Sequence, residues 1–417
     1  TVTPGGLHGL VPQKKTKPPK PTEPQNHRLP EAIPNRIIAR AIFAMRSAVR
    51  DHPHRDDIDA SLDLLLDQTP LMDVRAPVEF EQGAIPGAVN VPILDDGQRA
   101  AIGTRYKEAG QEAAIELGLE LATPAIRDAR MEAWSRFARQ NPNGYLYCFR
   151  GGLRSNTTQA WMREAGIHYP LVRGGYKALR RVLIDAFDQR LATCKLQVLA
   201  GPTGSGKTEV IQAWPVSLDL EGRANHRGSA FGATFTPQPA QIDWENRISL
   251  DWARLDIHGD TPVLVEDEAH LIGRIHVVPE LHERMQSASV IVLEAPMQER
   301  VERLLDDYVN HALAHFRQQH PESPWPLLGD YVSQNLQRIR RRLGGLRHDQ
   351  LQQAVPEAVE ALAGNDDPGG FHRIIETLLT DYYDPMYRYQ LNSRDAQPLF
   401  RGDRAAVLDW LGQHQYV

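Results

Sequence analysis

The sequence predicts an α/β protein with two parallel-sheet domains, and three observations support this prediction. Short apolar strands alternate with helical stretches from about residue 63 to residue 190, and strands resume after residue 195. A Gly-rich motif at residues 201–208 follows the apolar run Leu196–Ala200, which suits a buried strand leading into a helix. The chain of 417 residues also exceeds the about 250 to 300 residues at which single cores stop growing.

The composition is that of an ordinary soluble protein. Two cysteines, Cys148 and Cys194, are too few for a disulfide framework, so a reducing compartment is expected. No apolar run approaches the roughly 18 residues of a transmembrane helix, and no segment resembles a signal peptide. We therefore expect a cytoplasmic protein without a membrane partner. The net charge of −6 argues against indiscriminate nucleic-acid binding but allows local basic patches.

Composition and periodicity divide the chain into five segments. A tail rich in Pro, Lys, Gln and Thr has no apolar periodicity, which predicts disorder. A helical lead-in, two α/β domains and a mainly helical region follow, and we expect that last region to pack on the second domain. The predicted bounds are 1–32, 33–62, 63–190, 191–295 and 296–417.

In the first α/β domain, the candidate nucleophile is Cys148. Strands are predicted at 70–74, 88–91, 144–148 and 170–172, and helices at 100–121, 123–140, 155–165 and 176–187. Because parallel sheets carry their working residues just beyond the strand C-termini, Cys148 is well placed. The loop after it supplies backbone donors at Gly151 and Gly152, while Arg150, Arg154 and the helix dipole can stabilise a thiolate. Cys194 has no such surroundings and is interpreted as structural.

The second α/β domain contains a phosphate-binding motif. Small residues let successive backbone N–H groups turn inward around an anion, and the following helix adds its positive end. Lys207 adds a point charge. The Thr208 hydroxyl can reach a Mg²⁺ ion, but the sequence predicts no set of metal-ligating residues. The motif predicts a phosphorylated ligand but does not specify ATP. The candidate binding residues are Gly201, Thr203, Gly204, Ser205, Gly206, Lys207 and Thr208.

Two further stretches of the second domain leave alternatives open. An apolar strand at 262–265 leads into acidic residues, of which Glu266 or Asp267 could face a metal, although a solvated acidic turn fits equally well. Residues 221–232 are dense in Gly, Arg and His and form either a substrate loop or a polar surface loop.

Helices are predicted after residue 296, and they contain candidate RNA contacts. The helical stretches are 297–316, 327–343, 348–362 and 370–382. One basic cluster lies within them, and a second lies in the first domain; each fits an RNA backbone or a solvated face. Aromatic residues at 382–389 could stack on an unpaired base or pack the last helix. The basic clusters are Arg338, Arg340, Arg341 and Arg342, and Arg173, Lys177, Arg180 and Arg181.

The first domain resembles the rhodanese family. The resemblance rests on residues 73–75, 79–80, 83–92, 148–155 and 174–177, and it implies that Cys148 is the nucleophile. One departure is that Arg154 gives a Cys-x5-Arg spacing, one residue longer than is common in rhodanese sulfurtransferases. This longer loop resembles the rhodanese-fold phosphatases, and it suits a tetrahedral anion.

The order of the two domains, with residues 219–232, 264–268 and 383–390, closely resembles the bacterial tRNA 2-selenouridine synthases. The resemblance implies a transferase that acts on 2-thiouridine at the wobble position of the tRNA anticodon loop. Geranyl diphosphate and selenophosphate would be its substrates, with no tightly bound cofactor and with a geranylated intermediate. Cys148 would carry selenium as S-selanylcysteine, and a selenophosphate-producing enzyme would be a partner.

Two other classes of function remain open at the level of sequence. One is a rhodanese-type sulfurtransferase or phosphatase regulated by an ATP-binding P-loop domain. The other is a tRNA-binding scaffold without enzymatic activity.

Overall fold

The computed structural model of the protein describes residues 55–257, 261–392, 394 and 397–414. The tail predicted at 1–32 and the start of the helical lead-in predicted at 33–62 lie outside the described residues. Residues 58 and 59, near the end of that lead-in, form a short strand, because they pair in parallel with Val172 and Arg173.

The first domain is a parallel sheet covered by helices, as the alternating pattern predicts. Strand β2 lies between β3 and β4, and a bridge from Leu146 to Leu171 joins them to the pair formed by β5 and β1. The helix predicted at 176–187 continues to Thr193 because its buried apolar face continues through Leu191. The strands are β1 (Ile58–Asp59), β2 (Leu71–Asp73), β3 (Val89–Asn90), β4 (Tyr145–Tyr147) and β5 (Val172–Arg173), and the helices are α1 (Leu62–Leu66), α2 (Pro77–Glu81), α3 (Asp96–Leu121), α4 (Pro124–Gln140), α5 (Leu153–Glu164) and α6 (Gly175–Thr193).

The second domain contains a five-stranded parallel sheet in the order β12, β11, β6, β8, β7. Its central strand is buried at every residue, which explains its continuous apolar run. Strands β9 and β10 form a separate antiparallel pair. The strands are β6 (Leu196–Ala200), β7 (Ser217–Leu218), β8 (Val263–Glu266), β9 (Leu271–Ile272), β10 (Ile275–His276), β11 (Ser289–Leu293) and β12 (Phe400–Gly402), and the helices are α7 (Lys207–Ala213), α8 (Leu220–Ala224), α9 (Gln241–Arg254) and α10 (Pro279–Ser287).

The C-terminal region is mainly helical, but it also supplies the edge strand β12 to the second sheet. Two of the predicted helices, 297–316 and 370–382, are each interrupted by a π turn, at Asp306–Asn310 and at Leu379–Tyr383. Such turns are frequent at functional sites. The helices are α11 (Met297–Leu305), α12 (His311–Gln319), α13 (Pro324–Leu343), α14 (Gly345–Asn365), α15 (Gly369–Leu378), α16 (Asp384–Asn392) and α17 (Arg404–Gln413). Within the described part of the chain, no helix combines the length and apolar character needed to cross a membrane.

The two α/β domains meet where α9 packs against α6. Asn246, which is 1% exposed, accepts a hydrogen bond from Arg180 Nη1 at 2.7 Å and donates to the carbonyl of Ala84 at 2.7 Å. The Ala84 amide in turn donates to Asp243 Oδ1 at 2.6 Å. A Cβ at Gly83 would lie 2.4 Å from Cγ2 of Ile242, so glycine permits this close approach. The interface is therefore tightly packed and hydrogen-bonded on both sides.

We predict that Asn246→Ala lowers the free energy of unfolding by about 1 to 3 kcal/mol, because two half-buried groups of the first domain, the Arg180 guanidinium and the Ala84 carbonyl, lose their partner. Thermal unfolding should show a lower Tm than that of Asn310→Ala, a control whose exposed amide bonds Asp306 within its own helical segment. Equal Tm values for the two variants would contradict the importance of this contact.

Candidate functional site

The phosphate-binding motif forms a loop between β6 and α7. Gly204 and Gly206 have φ values of 79° and 91°, which glycine adopts without strain. Lys207 Nζ donates to the Gly201 carbonyl at 2.9 Å, so the ammonium lies over the loop. The seven predicted binding residues all line one cavity of about 1160 Å³. The structure thus brings the predicted phosphate site together.

Two arginines of α11 hold this loop. Arg300 Nε donates to the Thr203 carbonyl at 2.9 Å, and Arg303 Nη1 donates to the Gly204 carbonyl at 3.0 Å. Arg300 is buried and forms an ion pair with Asp384 of α16. Asp384 belongs to the aromatic stretch singled out in the sequence, and its role here is to fix Arg300. This support was not predicted, because it joins three segments that are distant in sequence.

The acidic residues that follow β8 have different roles. Glu266 is 0% exposed and accepts the Leu220 N–H at 2.9 Å. Burial, followed by the nearby Glu221 and Asp219, raises the pKa of Glu266 well above its usual range. Asp267 lines the cavity and forms an ion pair with Arg394. Of the two predicted candidates, Asp267 is therefore the one that faces the phosphate loop.

A pair of carboxyl groups that the sequence did not predict also faces this cavity. Glu268 and Glu221 both line it, and burial, followed by the charge of Glu221, raises the pKa of Glu268 well above its usual range. Gly228, with φ of 62°, lies against them, since its Cβ would be 2.0 Å from Glu221 Oε1. Among the described residues, no three His, Cys, Asp or Glu side chains are grouped to hold a metal. Mg²⁺ binding at Thr208 remains a prediction.

Residues 221–232 are not wholly a loop, because residues 220–224 form α8. Asp219 caps this helix by accepting the Gly222 N–H at 2.7 Å. Eight residues of the stretch nevertheless line the cavity, which favours the substrate-loop interpretation over a surface loop; they are Glu221, Gly222, Asn225, His226, Arg227, Gly228, Ser229 and Ala230.

The two basic clusters differ in the structure. Arg338, Arg341 and Arg342 share one face of α13 and line the cavity, whereas exposed Arg340 is not part of its lining. Within the described part of the chain, none of these three forms an ion pair with a carboxylate. In the first-domain cluster, by contrast, three of the four side chains are paired. The partners of Arg173, Arg180 and Arg181 are Asp59, Glu245 and Asp185, respectively.

Apolar and aromatic side chains form another wall of the cavity. Burial and the charge of Asp267 raise the pKa of Tyr387 to about 12, so its phenol stays neutral at physiological pH. Tyr389, by contrast, is 78% exposed and does not line the cavity. The aromatic stretch at 382–389 therefore both packs and lines a site. The wall includes Leu304, Tyr308, Ile339, Tyr382, Tyr383, Met386 and Tyr387.

Cys148 lies at the end of β4, as predicted, and is 3% exposed. The Gly174–Gly175 turn supports its loop: the Tyr176 N–H donates to the Cys148 carbonyl at 2.8 Å, and a Cβ at Gly175 would lie 2.2 Å from that oxygen. Gly151 takes φ of 64°, and α5 begins soon after it.

The two loop arginines differ in their contacts. Arg154 bonds both oxygens of Glu79, whose pKa is lowered by this contact against the effect of burial. Exposed Arg150 lies 5.9 Å from the Phe149 ring centroid. The Glu79 contact was not predicted, since it joins residues far apart in sequence. Cys194 caps the end of α6 and packs in the core of the second domain, which agrees with its structural interpretation.

The fold and the two loops define a rhodanese-like domain joined to a P-loop domain. A family model for the rhodanese-like domain matches residues 58–181, and one described as the tRNA 2-selenouridine synthase AAA domain matches residues 194–416. A tRNA 2-selenouridine synthase of Marinobacter nauticus is 46% identical over 85% of this chain and 97% of its own length. One from Alcanivorax borkumensis is 48% identical over 86% of this chain and 99% of its own.

The chain therefore belongs to the tRNA 2-selenouridine synthase family, whose members are enzymes. A solved structure described as the N-terminal domain of a Clostridium difficile ATP/GTP binding protein covers 30% of the chain at 26% identity and a TM-score of 0.28. That score is too low to support a structural argument.

The Glu221–Glu268 pair generates a prediction about pH. The raised pKa means that folded Glu268 retains a proton that the unfolded chain releases above about pH 4.5. Its contribution to stability is therefore lost as pH rises from the unfolded pKa toward the folded one. We predict that Glu268→Gln, which stays neutral, loses less Tm than wild type between about pH 5 and pH 8. Exposed Glu280→Gln is the control; parallel pH profiles for wild type and Glu268→Gln would contradict the prediction.

Proposed function

We propose that this protein converts 2-thiouridine at the wobble position of tRNA to 2-selenouridine through a geranylated intermediate. Geranyl diphosphate and selenophosphate would be its substrates. Family membership supports the overall conversion, and tRNA as substrate implies a reaction in the cytoplasm. An enzyme that supplies selenophosphate would be a partner, because the second stage consumes that compound.

The main support for this function comes from the residues that line the cavity at the phosphate loop. Its volume of about 1160 Å³ exceeds the roughly 300 to 1,000 Å³ of a typical small-molecule site, which leaves room for a donor and a base together. One wall offers Lys207 and the loop N–H groups to a diphosphate, and another offers apolar side chains to a hydrocarbon chain. The apolar side chains of the second wall are of the kind that a hydrocarbon chain would pack against.

In the proposed first stage, the sulfur of 2-thiouridine attacks C1 of geranyl diphosphate. The C–S bond forms, the C1–O bond breaks, pyrophosphate leaves, and the N3 proton of the base is released to solvent. Negative charge grows on the departing diphosphate, so preorganised N–H groups and Lys207 would stabilise the transition state more than the ground state. No protein nucleophile is needed in this stage.

In the proposed second stage, Cys148 carries selenium in the S-selanyl form. Selenium in selenophosphate is at the selenide level, so it can join the sulfur if Cys148 is first a disulfide with a small cellular thiol. Selenium attacks Sγ and displaces the thiol, and water then cleaves the P–Se bond to release phosphate. The selenium next attacks C2 of the geranylated base, and geranyl thiol leaves. The small thiol finally attacks Sγ, which releases 2-selenouridine and restores the disulfide.

We predict that Lys207→Ala lowers kcat/KM for geranyl transfer by about a hundredfold or more, as expected when a charge on a leaving group loses its donor. The measurement is the rate of geranylated nucleoside formation by mass spectrometry. Lys107→Ala, on exposed helix α3, is the matched control and should retain the wild-type rate. Unchanged geranyl-transfer kinetics in Lys207→Ala would show that the diphosphate does not bind at this loop.

We predict that Cys148→Ser still binds tRNA and forms the geranylated nucleoside but makes no selenouridine from selenophosphate. Serine preserves the shape of the loop and removes the sulfur to which selenium would be bound. Cys194→Ser is the control, because the second cysteine lies in the core of the P-loop domain. Normal selenouridine formation by Cys148→Ser would refute the covalent role. Loss of both products in a folded variant would mean that the two stages do not use separate sites.

A further inference from the structure

An aromatic cluster with one exposed ring, that of Phe235, lies in the P-loop half of the protein. Phe235 stacks on His315, with ring centroids 4.2 Å apart and ring planes at 13°. The rings of Phe316 and Tyr331 are each 5.4 Å from Phe235. We call these four side chains the aromatic shelf. Phe316 and Tyr331 also pack against the core of the helical region, but Phe235 is not among the residues of that core and is 37% exposed.

The aromatic shelf adjoins the cavity at the phosphate loop. Phe235 follows Thr234, which lines the cavity, and His315 is one turn along α12 from His311, which also lines it. Tyr331 lies two turns before Arg338 on α13. The guanidinium groups of Arg227 and Arg338 are near enough to oppose the rise that burial causes in the pKa of Tyr331. The shelf and the cavity therefore share an edge.

The backbone beneath Phe235 is fixed by hydrogen bonds. Asn225 Nδ2 donates to the carbonyl and to Oγ1 of Thr236, at 3.0 and 2.8 Å. Thr234 Oγ1 donates to the Asn225 carbonyl at 3.2 Å. An exposed phenylalanine held between two anchored threonines is preorganised, so binding a flat ligand would order little further structure.

The positive charge beside the aromatic shelf indicates which kind of ligand could bind there. Across the part of the chain that is described, Arg338, Arg341 and Arg342 have no carboxylate partner, whereas Arg227 and Arg303 are paired with Asp307 and Glu209. Arginines that lack counter-charges beside an aromatic surface are the combination that binds single-stranded RNA, with phosphates on the cations and a base on the ring. A protein partner would not need both features next to a phosphate loop.

We propose that the aromatic shelf stacks one unpaired base of the RNA substrate beside the base that enters the cavity. Phosphates of the same strand contact the face formed by Arg338, Arg341 and Arg342. The proposal rests on the proposed function, because it takes tRNA as the substrate. It adds a residue, Phe235, that positions the RNA without touching the reacting atoms.

The test is fluorescence anisotropy with tRNA that carries 2-thiouridine, at one fixed ionic strength. Phe235→Ala should weaken binding by about tenfold, the effect of losing one stacked base, while Phe235→Tyr should bind as wild type does. Tyr106→Ala removes a 57% exposed aromatic side chain of the first domain and should change nothing. Equal affinities of Phe235→Ala and wild type would overturn the proposal and would point to a protein as the ligand of the shelf.

A second measurement identifies the base and excludes an indirect effect. It uses a series of RNAs, each of which lacks one base of the anticodon loop. Wild type and Phe235→Ala should bind with equal affinity only to the RNA that lacks the stacked base, because there the partner of Phe235 has already been removed. A tenfold difference that persists at every abasic position would refute stacking. If the RNA series gives the predicted result but wild type forms no selenouridine, the stacking role of the aromatic shelf is supported and the proposed function is refuted.

Discussion

The contact between Arg300, Asp384 and the phosphate loop is the interaction on which the arrangement of this site depends. Arg300 is buried, its Nε bonds the Thr203 carbonyl, and its other nitrogens bond Asp384. A buried charge that loses its partner costs several kcal/mol, roughly 3 to 5, so these three segments are fixed relative to one another. Gly204 allows the approach, because a Cβ there would lie 3.0 Å from the Arg300 carbonyl. The helical region thereby closes one side of the cavity.

Because the helical region forms one side of the cavity, the site contains more than a phosphate-binding loop. The helices bring an apolar wall and three arginines, none of them ion-paired among the described residues, to the same cavity as Lys207. The Cys148 loop belongs to the other domain, whose position is fixed by the α6 and α9 interface through Asn246. We interpret the protein as a rigid support for two chemically distinct stages, one needing leaving-group stabilisation and the other a sulfur that carries selenium.

Local signals predicted the fold well, because strand, loop and helix follow one another within short stretches. The run Leu196–Ala200 and the motif after it predicted both the central strand and the phosphate loop. The edge strand Phe400–Gly402 was missed, since three residues, two half-buried and one exposed, are too few to give a periodic signal and their pairing is set by β11. The π turns were also missed, because one extra residue in a turn does not disturb an apolar pattern.

The candidate site was predictable only where its residues are neighbours in sequence. The loop glycines, Lys207 and Cys148 could be named, whereas the contact of Arg154 with Glu79 and the Glu221–Glu268 pair depend on tertiary packing. The basic stretch at 338–342 was recognised, but helical geometry decides that Arg340 is excluded from the cavity lining. Periodicity at i, i+3 and i+4 was the signal that could have separated it.

The most direct test of the two-stage account is mass spectrometry of tRNA nucleosides after incubation of the wild-type protein with each donor. The account predicts the geranylated nucleoside with geranyl diphosphate alone and unchanged 2-thiouridine with selenophosphate alone. It predicts 2-selenouridine when both donors are present and Cys148 has been converted to its disulfide with a small thiol. Formation of 2-selenouridine from selenophosphate without geranyl diphosphate would contradict it.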